Sequence, residues 1–222
     1  MSTLTTIQNA VGVTADGIWG RKTQAAVADA LNCGGTVAEI QAVVGVKADG
    51  MVGAKTIAAI AKALHLKSWP TQAEVRSGNS IFGKAGDESN LIDVYPAYPL
   101  YYEGKPISRI RCHRKIAEDV RQIFEEVRAH YGLKRIHDLG LDMYSGCFNN
   151  RSTVSGKSKS MHAWGIAFDF AAETNTYSMK EGKASLSKPE CEAWWRIWER
   201  HGAVSLGRYA NYDWMHVQFA TF

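Results

Sequence analysis

The chain has 222 residues, 45% of them hydrophobic, and a formal net charge of +4, so it can bury a sizeable core as one large domain or two smaller ones. The charge is spread thinly: residues 1–65 set Arg21, Lys22, Lys47, Lys55 and Lys62 against Asp16, Asp29, Glu39 and Asp49, and no basic stripe marks a nucleic-acid partner. No segment approaches the roughly 20 apolar residues of a membrane span, and the four cysteines lie far apart without a Cys-x-x-Cys pair, which indicates neither a thiolate zinc site nor a dense disulfide scaffold and predicts buried free thiols.

No charged side chain precedes Asp16, and Thr3, Thr5, Thr6, Gln8 and Asn9 interrupt any apolar run, so a secretory signal is not expected there. The protein is expected to fold in the cytoplasm, as a monomer without stable membrane association, and to reach any outside target by another route. An internal repeat follows. Ile7-Gln8 with Gly12, Asp16-Gly17, Trp19-Gly20 and Thr23 returns as Ile40-Gln41 with Gly45, Asp49-Gly50, Val52-Gly53 and Thr56. Each Asp-Gly is a turn dipeptide, and each closing Gly precedes a helix-period run, Ala25 to Leu31 in one copy and Ile57 to Leu64 in the other. Neither copy could bury its small apolar face alone, so the two should pack as one helical unit.

This doubled pattern resembles the peptidoglycan-binding domain of cell-wall hydrolases. The resemblance implies a small three-helix N-terminal domain over residues 1–66, with bacterial peptidoglycan as its partner and Trp19 as the candidate aromatic for contact with the wall. Trp19 is equally consistent with a core position.

The helical period stops at Lys67-Ser68-Trp69-Pro70-Thr71, and residues 67–75 are expected to be a linker to a second domain over 76–222. Residues 71–110, with scattered Gly, Pro and Tyr, suggest irregular chain with short strands. The spacing of Ile116, Val120, Ile123, Phe124 and Val127 predicts a helix over 112–130, ended by Tyr131-Gly132. Strands are expected over 141–144, 166–170, 203–206 and 215–219. A helix over 189–201 should bury Trp194, Trp195 and Trp198 against the sheet. The whole is an α+β chain whose second domain has a central antiparallel sheet and flanking helices.

The chemistry lies in Ser160-Met-His162-Ala-Trp164-Gly165-Ile-Ala-Phe-Asp169, answered by Asp213-Trp-Met-His216. Two imidazoles and a carboxylate can fill three corners of a tetrahedral zinc site and leave one open, as catalysis requires. Gly165 must bend the chain, because His162 and Asp169 are an odd number of residues apart and cannot share one face of a continuous strand. A carboxylate between Phe168 and Phe170 is costly to bury without a cation or strong donors, so His162, Asp169 and His216 are expected to hold the metal and Asp213 to stay outside as a base.

Rival chemistries fit worse. Gly156-Lys157-Ser158 ends like a phosphate-binding loop, but Arg151 stands where that loop needs glycine and no helical run follows. His-Glu-x-x-His and Gly-x-Ser-x-Gly are absent, and no carboxylate pair suggests a glycosidase.

Ser-x-His-x-x-Gly-x-Ala-x-Asp followed by Asp-x-x-His, with Tyr144 to Arg151 upstream, resembles the zinc D-alanyl-D-alanine carboxypeptidases and the related L-alanyl-D-glutamate endopeptidases, which share the Hedgehog-like fold. The resemblance implies Zn2+ on His162, Asp169 and His216, a catalytic Asp213, a substrate-polarising Arg151, and a structural or substrate-contacting role for Ser160. Trp164 and Tyr209 are candidates for the cleft wall, and core packing fits them at least as well. Val217-Gln218 departs from the aromatic and Glu common in the phage enzymes. With the N-terminal repeat, the resemblance implies a modular endolysin of bacteriophage type, held in the host cytoplasm until release to the wall. L-alanyl-D-glutamate is the leading expectation for the bond cut. The alternatives are D-alanyl-D-alanine carboxypeptidase action and a non-catalytic wall-binding protein with a structural zinc.

Overall fold

The computed structural model describes residues 3–64, 66 and 69–222. The chain divides into two compact units, Met1–Ser68 with Glu199–Gly202, and Trp69–Trp198 with Ala203–Phe222.

Among the described residues the N-terminal repeat carries four helices where three were expected: α1 (Thr3–Ala10), α2 (Arg21–Ala30), α3 (Val37–Val43) and α4 (Ala54–Ala63). Each copy is a helix, an Asp-Gly turn and a second helix. The leading helix escaped the sequence reading because it is short and presents few large apolar residues; in the second copy a Thr36/Glu39 capping box starts it. Ile7, Val27, Ile40 and Ile60 are fully buried at the centre. Gln8 is buried too. Its amide nitrogen donates among Asp16 Oδ1 (2.7 Å), the Ile18 carbonyl (2.9 Å) and Thr23 Oγ1 (3.1 Å), while its oxygen accepts from Gly17 N (2.9 Å). Gln41 repeats this with Asp49, Met51, Thr56 and Gly50 at 2.9, 2.9, 3.1 and 2.8 Å. The residues that define the repeat are therefore the ones that tie each turn to its helices.

The expected linker is only partly outside the second unit. Lys67 and Ser68 lie outside the described residues, but Trp69 is buried, stacked on Phe82 and edge-on to Phe219, and Thr71 caps α5 (Gln72–Arg76). Apolar burial of Trp69 and Val75 recruits this stretch into the core.

The second unit continues with β1 (Leu91–Val94) paired to β4 (Ile110–His113), and β2 (Leu100–Tyr102) paired to β3 (Lys105–Ile107). The helix expected from residue 112 starts later, because Cys112 and His113 belong to β4. It is α6 (Ala117–Asp138), which buries Val120, Ile123, Phe124 and Val127. At Gly132 the backbone leaves the helix (φ 68°, ψ 161°), then resumes to Asp138. Gly140 and Leu141 donate back to His137 and Ile136 carbonyls, so the strand expected at 141 begins only at β5 (Tyr144–Gly146).

The central sheet is antiparallel in the order β5–β6–β8–β7, with β6 Ala167–Phe170, β7 Val204–Ser205 and β8 His216–Gln218. Helix α7 (Glu192–Arg200) supplies the buried Trp194 and Trp198, which meet Phe170 and Phe168 at ring separations of 5.1 and 5.4 Å. Each such side chain contributes roughly 1.5–3 kcal/mol by burial. A short α8 (Leu206–Ala210) follows β7 and precedes the Asp213 turn. All four cysteines are free, with Cys33 half-buried and the others buried.

Candidate metal centre

Register creates half of the site. In the β6–β8 ladder Asp169 lies directly opposite His216, so both side chains project from one face of the sheet. His162 arrives from outside the sheet. Ser160 caps a one-turn 3-10 helix, Met161–Trp164, and its Oγ accepts from the His162 amide. The helix closes on Gly165 in the left-handed region (φ 66°), where a Cβ would lie 2.5 Å from Leu91 Cδ2 and 3.3 Å from the His113 nitrogen. Only glycine makes that bend without strain, and the bend aims His162 back at the strand.

The three ligand atoms converge. His162 Nε2 lies 3.2 Å from His216 Nδ1 and 3.2 Å from Asp169 Oδ2, and His216 Nδ1 lies 3.0 Å from Asp169 Oδ1. Tetrahedral zinc with bonds of about 2.0–2.2 Å needs ligand edges of roughly 3.3–3.6 Å, within a few tenths of an ångström of these.

The outer nitrogens decide the tautomers. His162 Nδ1 donates to the Cys147 carbonyl at 2.6 Å. His216 Nε2 donates to Gln218 Oε1 at 3.1 Å, and Gln218 fixes its own orientation by donating from Nε2 to the Ala220 carbonyl at 2.7 Å. With those protons committed, the two inner nitrogens of neutral rings turn bare lone pairs toward each other and toward a carboxylate. Such a cluster calls for a positive charge at its centre, and a divalent cation fits the donor set.

Protons on the inner nitrogens can take the place of that cation. Burial opposes ionisation of Asp169, yet hydrogen bonds from His162 and His216 in that protonated state hold its carboxyl far below the ordinary range. Burial likewise opposes charging His216, but the hydrogen bond and charge of Asp169, with Asp213 nearby, hold it above its ordinary value. Among the described residues, His162, Asp169 and His216 form the one group of metal-binding type.

Asp213 stands beside this cluster in the left-handed region (φ 54°), a strained conformation for a non-glycine residue. Its amide donates to the Tyr177 carbonyl, its Oδ1 is buried without a partner, and burial pushes its carboxyl upward. A cleft of about 210 Å3 opens here, with Asp169, His216, Asp213, Arg151, Ser160 and Tyr212 in its wall. Arg151 is exposed, held by a single 3.3 Å bond to the Ser152 carbonyl, and its charge reaches Asp213. The 152–159 segment is a closed hairpin, with Thr153 N donating to the Ser158 carbonyl at 2.8 Å, and only the one-turn 3-10 helix Met161–Trp164 follows it, not the long helix of a phosphate loop.

Two aromatic candidates lie off the cleft wall, and the third belongs to the N-terminal unit. Trp164 is buried, donates to the Gly83 carbonyl at 2.9 Å, and is absent from the cleft wall, since the 3-10 turn that brings His162 inward carries this ring to the opposite side. Tyr209 stacks on Phe222, and it is Phe222 that reaches the cleft. Trp19 is half-buried against the N-terminal core, with its indole N–H enclosed and unpartnered. The residues that sequence reasoning missed are Cys147, Gln218, Tyr177 and Arg76. Only Gln218 left a trace, as the residue two beyond His216 on the same strand face.

The arrangement is that of a candidate metal centre: three donor atoms facing one point beside a buried carboxylate. Residues 153–219 match the M15 peptidase family model described as D-alanyl-D-alanine carboxypeptidase, a span that contains every proposed ligand and Asp213. The match supports a zinc metallopeptidase domain with peptidoglycan as its field of action. No curated protein and no solved structure matches the chain.

Proposed function

We propose that the second unit is a zinc-dependent peptidase that hydrolyses an amide bond in the stem peptide of bacterial peptidoglycan, the L-alanyl-D-glutamate bond foremost. The single observation that carries this reading is the convergence of His162 Nε2, His216 Nδ1 and an Asp169 carboxylate on one point, with Asp213 Oδ1 buried and unpartnered beside it. Zinc, when bound, supplies Lewis acidity and brings the pKa of water to about 7. The chain's own groups do the rest. Asp213 takes the proton of the attacking water and returns it to the departing amine, its buried and raised carboxyl being suited to both. Arg151 neutralises charge that develops on the carbonyl oxygen. Ser160 holds His162 in place through its cap. The N-terminal repeat is proposed as the wall-binding unit of a phage-type endolysin acting after release from the host cytoplasm, with residues 1–66 and 76–222 as the functional parts.

Two measurements test the reading. Exhaustive chelation should abolish hydrolysis of purified walls and added zinc should restore it; activity that survives chelation rejects the metal mechanism. Mass spectrometry of the soluble products then assigns the bond. The description of the matching family favours a second reading, D-alanyl-D-alanine carboxypeptidase, which releases free D-alanine where the endopeptidase releases stem peptides with the glycan-linked alanine removed.

A further inference from the structure

Arg76 is common to two depressions. It lines the metal cleft, and it also lines an adjoining hollow of about 320 Å3 with Lys84, Lys159 and Trp164. Arg76 is half-buried on α5, whose capping box and Val75 anchor hold it firmly. Its guanidinium spends Nη2 on Gln72 Oε1 (2.6 Å) and Nε on the Lys159 carbonyl (3.1 Å). Both acceptors are neutral, and a guanidinium has five N–H groups in a fork that matches a carboxylate.

No acid answers these cations among the described residues. Glu74, two residues away, is taken up by Thr71, and Asp87, three beyond Lys84, is taken up by Ser89 and Asn90. Lys84 and Lys159 are exposed, and the Lys159 ammonium donates to Asn150 Oδ1, another neutral acceptor. Trp164, buried and pinned to Gly83, gives the hollow a rigid apolar wall. Burial also disfavours the charge on Arg76, a cost that an anionic ligand would offset.

We propose that Arg76, Lys84 and Lys159 form a carboxylate-binding shelf continuous with the metal cleft, which seats an anionic group of the substrate beyond the scissile amide. The ligand class is a peptide bearing a free carboxylate near the bond cut, and Arg76 is a specificity-determining residue. This rests on the proposed peptidase reading and adds to it a preference between acidic and amidated wall peptides.

The test uses the zinc-loaded full chain and two synthetic stem peptides, L-Ala-γ-D-Glu-L-Lys-D-Ala-D-Ala and its form with the glutamate α-carboxylate amidated. Wild type should favour the acid by about tenfold in kcat/KM, as expected for one charge-assisted contact. Arg76→Gln and the double variant Lys84→Gln/Lys159→Gln should erase that preference by raising KM for the acid alone, with kcat kept. An equal loss on both peptides, or an unchanged preference, overturns the shelf. Should wild type cleave neither peptide, the peptidase reading fails separately. Calorimetric titration of the same two peptides into wild type and Arg76→Gln then judges the shelf, with binding that ignores the carboxylate counting against it.

Discussion

The molecule contains two kinds of buried polar cluster, and they differ in what their hydrogen bonds leave over. In each N-terminal repeat the amide of Gln8 or Gln41 finds acceptors for its protons and a donor for its oxygen inside the chain. In the second unit, His162 and His216 spend their protons outward, on Cys147 and Gln218, and converge with lone pairs facing inward. A cluster that closes on itself holds a fold together. One that points its acceptors at a shared centre is built to receive something.

The contrast can be broken at its strongest point first. Asp169→Ala should reduce wall hydrolysis to background and abolish the rise in melting temperature that zinc gives the wild type, a rise worth about 2.7 kcal/mol at a hundredfold excess over Kd. Asp213→Ala should lower kcat by about 10²–10⁴ while the zinc content, measured by atomic absorption, stays at one per chain. Gln218→Leu removes the partner that sets the His216 tautomer, and zinc affinity measured by competition with a chelator should fall by about 10–100-fold.

Smaller effects belong to the closed clusters. Gln8→Ala leaves Gly17 N–H and Thr23 short of partners, so the N-terminal unit should lose about 1–3 kcal/mol in urea unfolding while turnover of a soluble peptide is unchanged. Acid should act on the same clusters. Backbone and Gln8 hydrogen bonds hold Asp16 below its ordinary 3.8, and Gln41 and Met51 do so for Asp49. A carboxyl depressed in the folded state stabilises above its unfolded pKa, and that contribution is lost as pH falls through the folded value. Circular dichroism should therefore show the N-terminal helices weakening below about pH 3.8, with a shallower pH dependence in Asp16→Asn.

What could be read from the sequence follows the same division. His162, Asp169, Asp213 and His216 were legible as neighbours because a metal site demands few residue types at tight spacing. The strands that carry Asp169 and His216 were legible as apolar runs. The partners of the ligands were not: Cys147 contributes a backbone carbonyl, which any residue could offer, and Gln218 acts through strand alternation, visible only once β8 is known to start at His216. Helix α1 was missed because Ile7 and Leu4 are its only large apolar side chains in the core. For Trp164 the sequence left cleft wall and core open, and the 3-10 turn, which sends residues two apart in different directions, places it in the core.

Because Asp169 and His216 face each other across a ladder, their separation is set by strand pairing and not by the number of residues between them. A residue inserted at the exposed Gly182 turn should therefore leave the distance between carboxylate and imidazole unchanged. A slip of one residue in the pairing, by contrast, would carry His216 to the far side of the sheet and disperse the ligands. The candidate metal centre is thus sensitive to strand alignment, and zinc uptake during refolding should report correct topology where helical content does not.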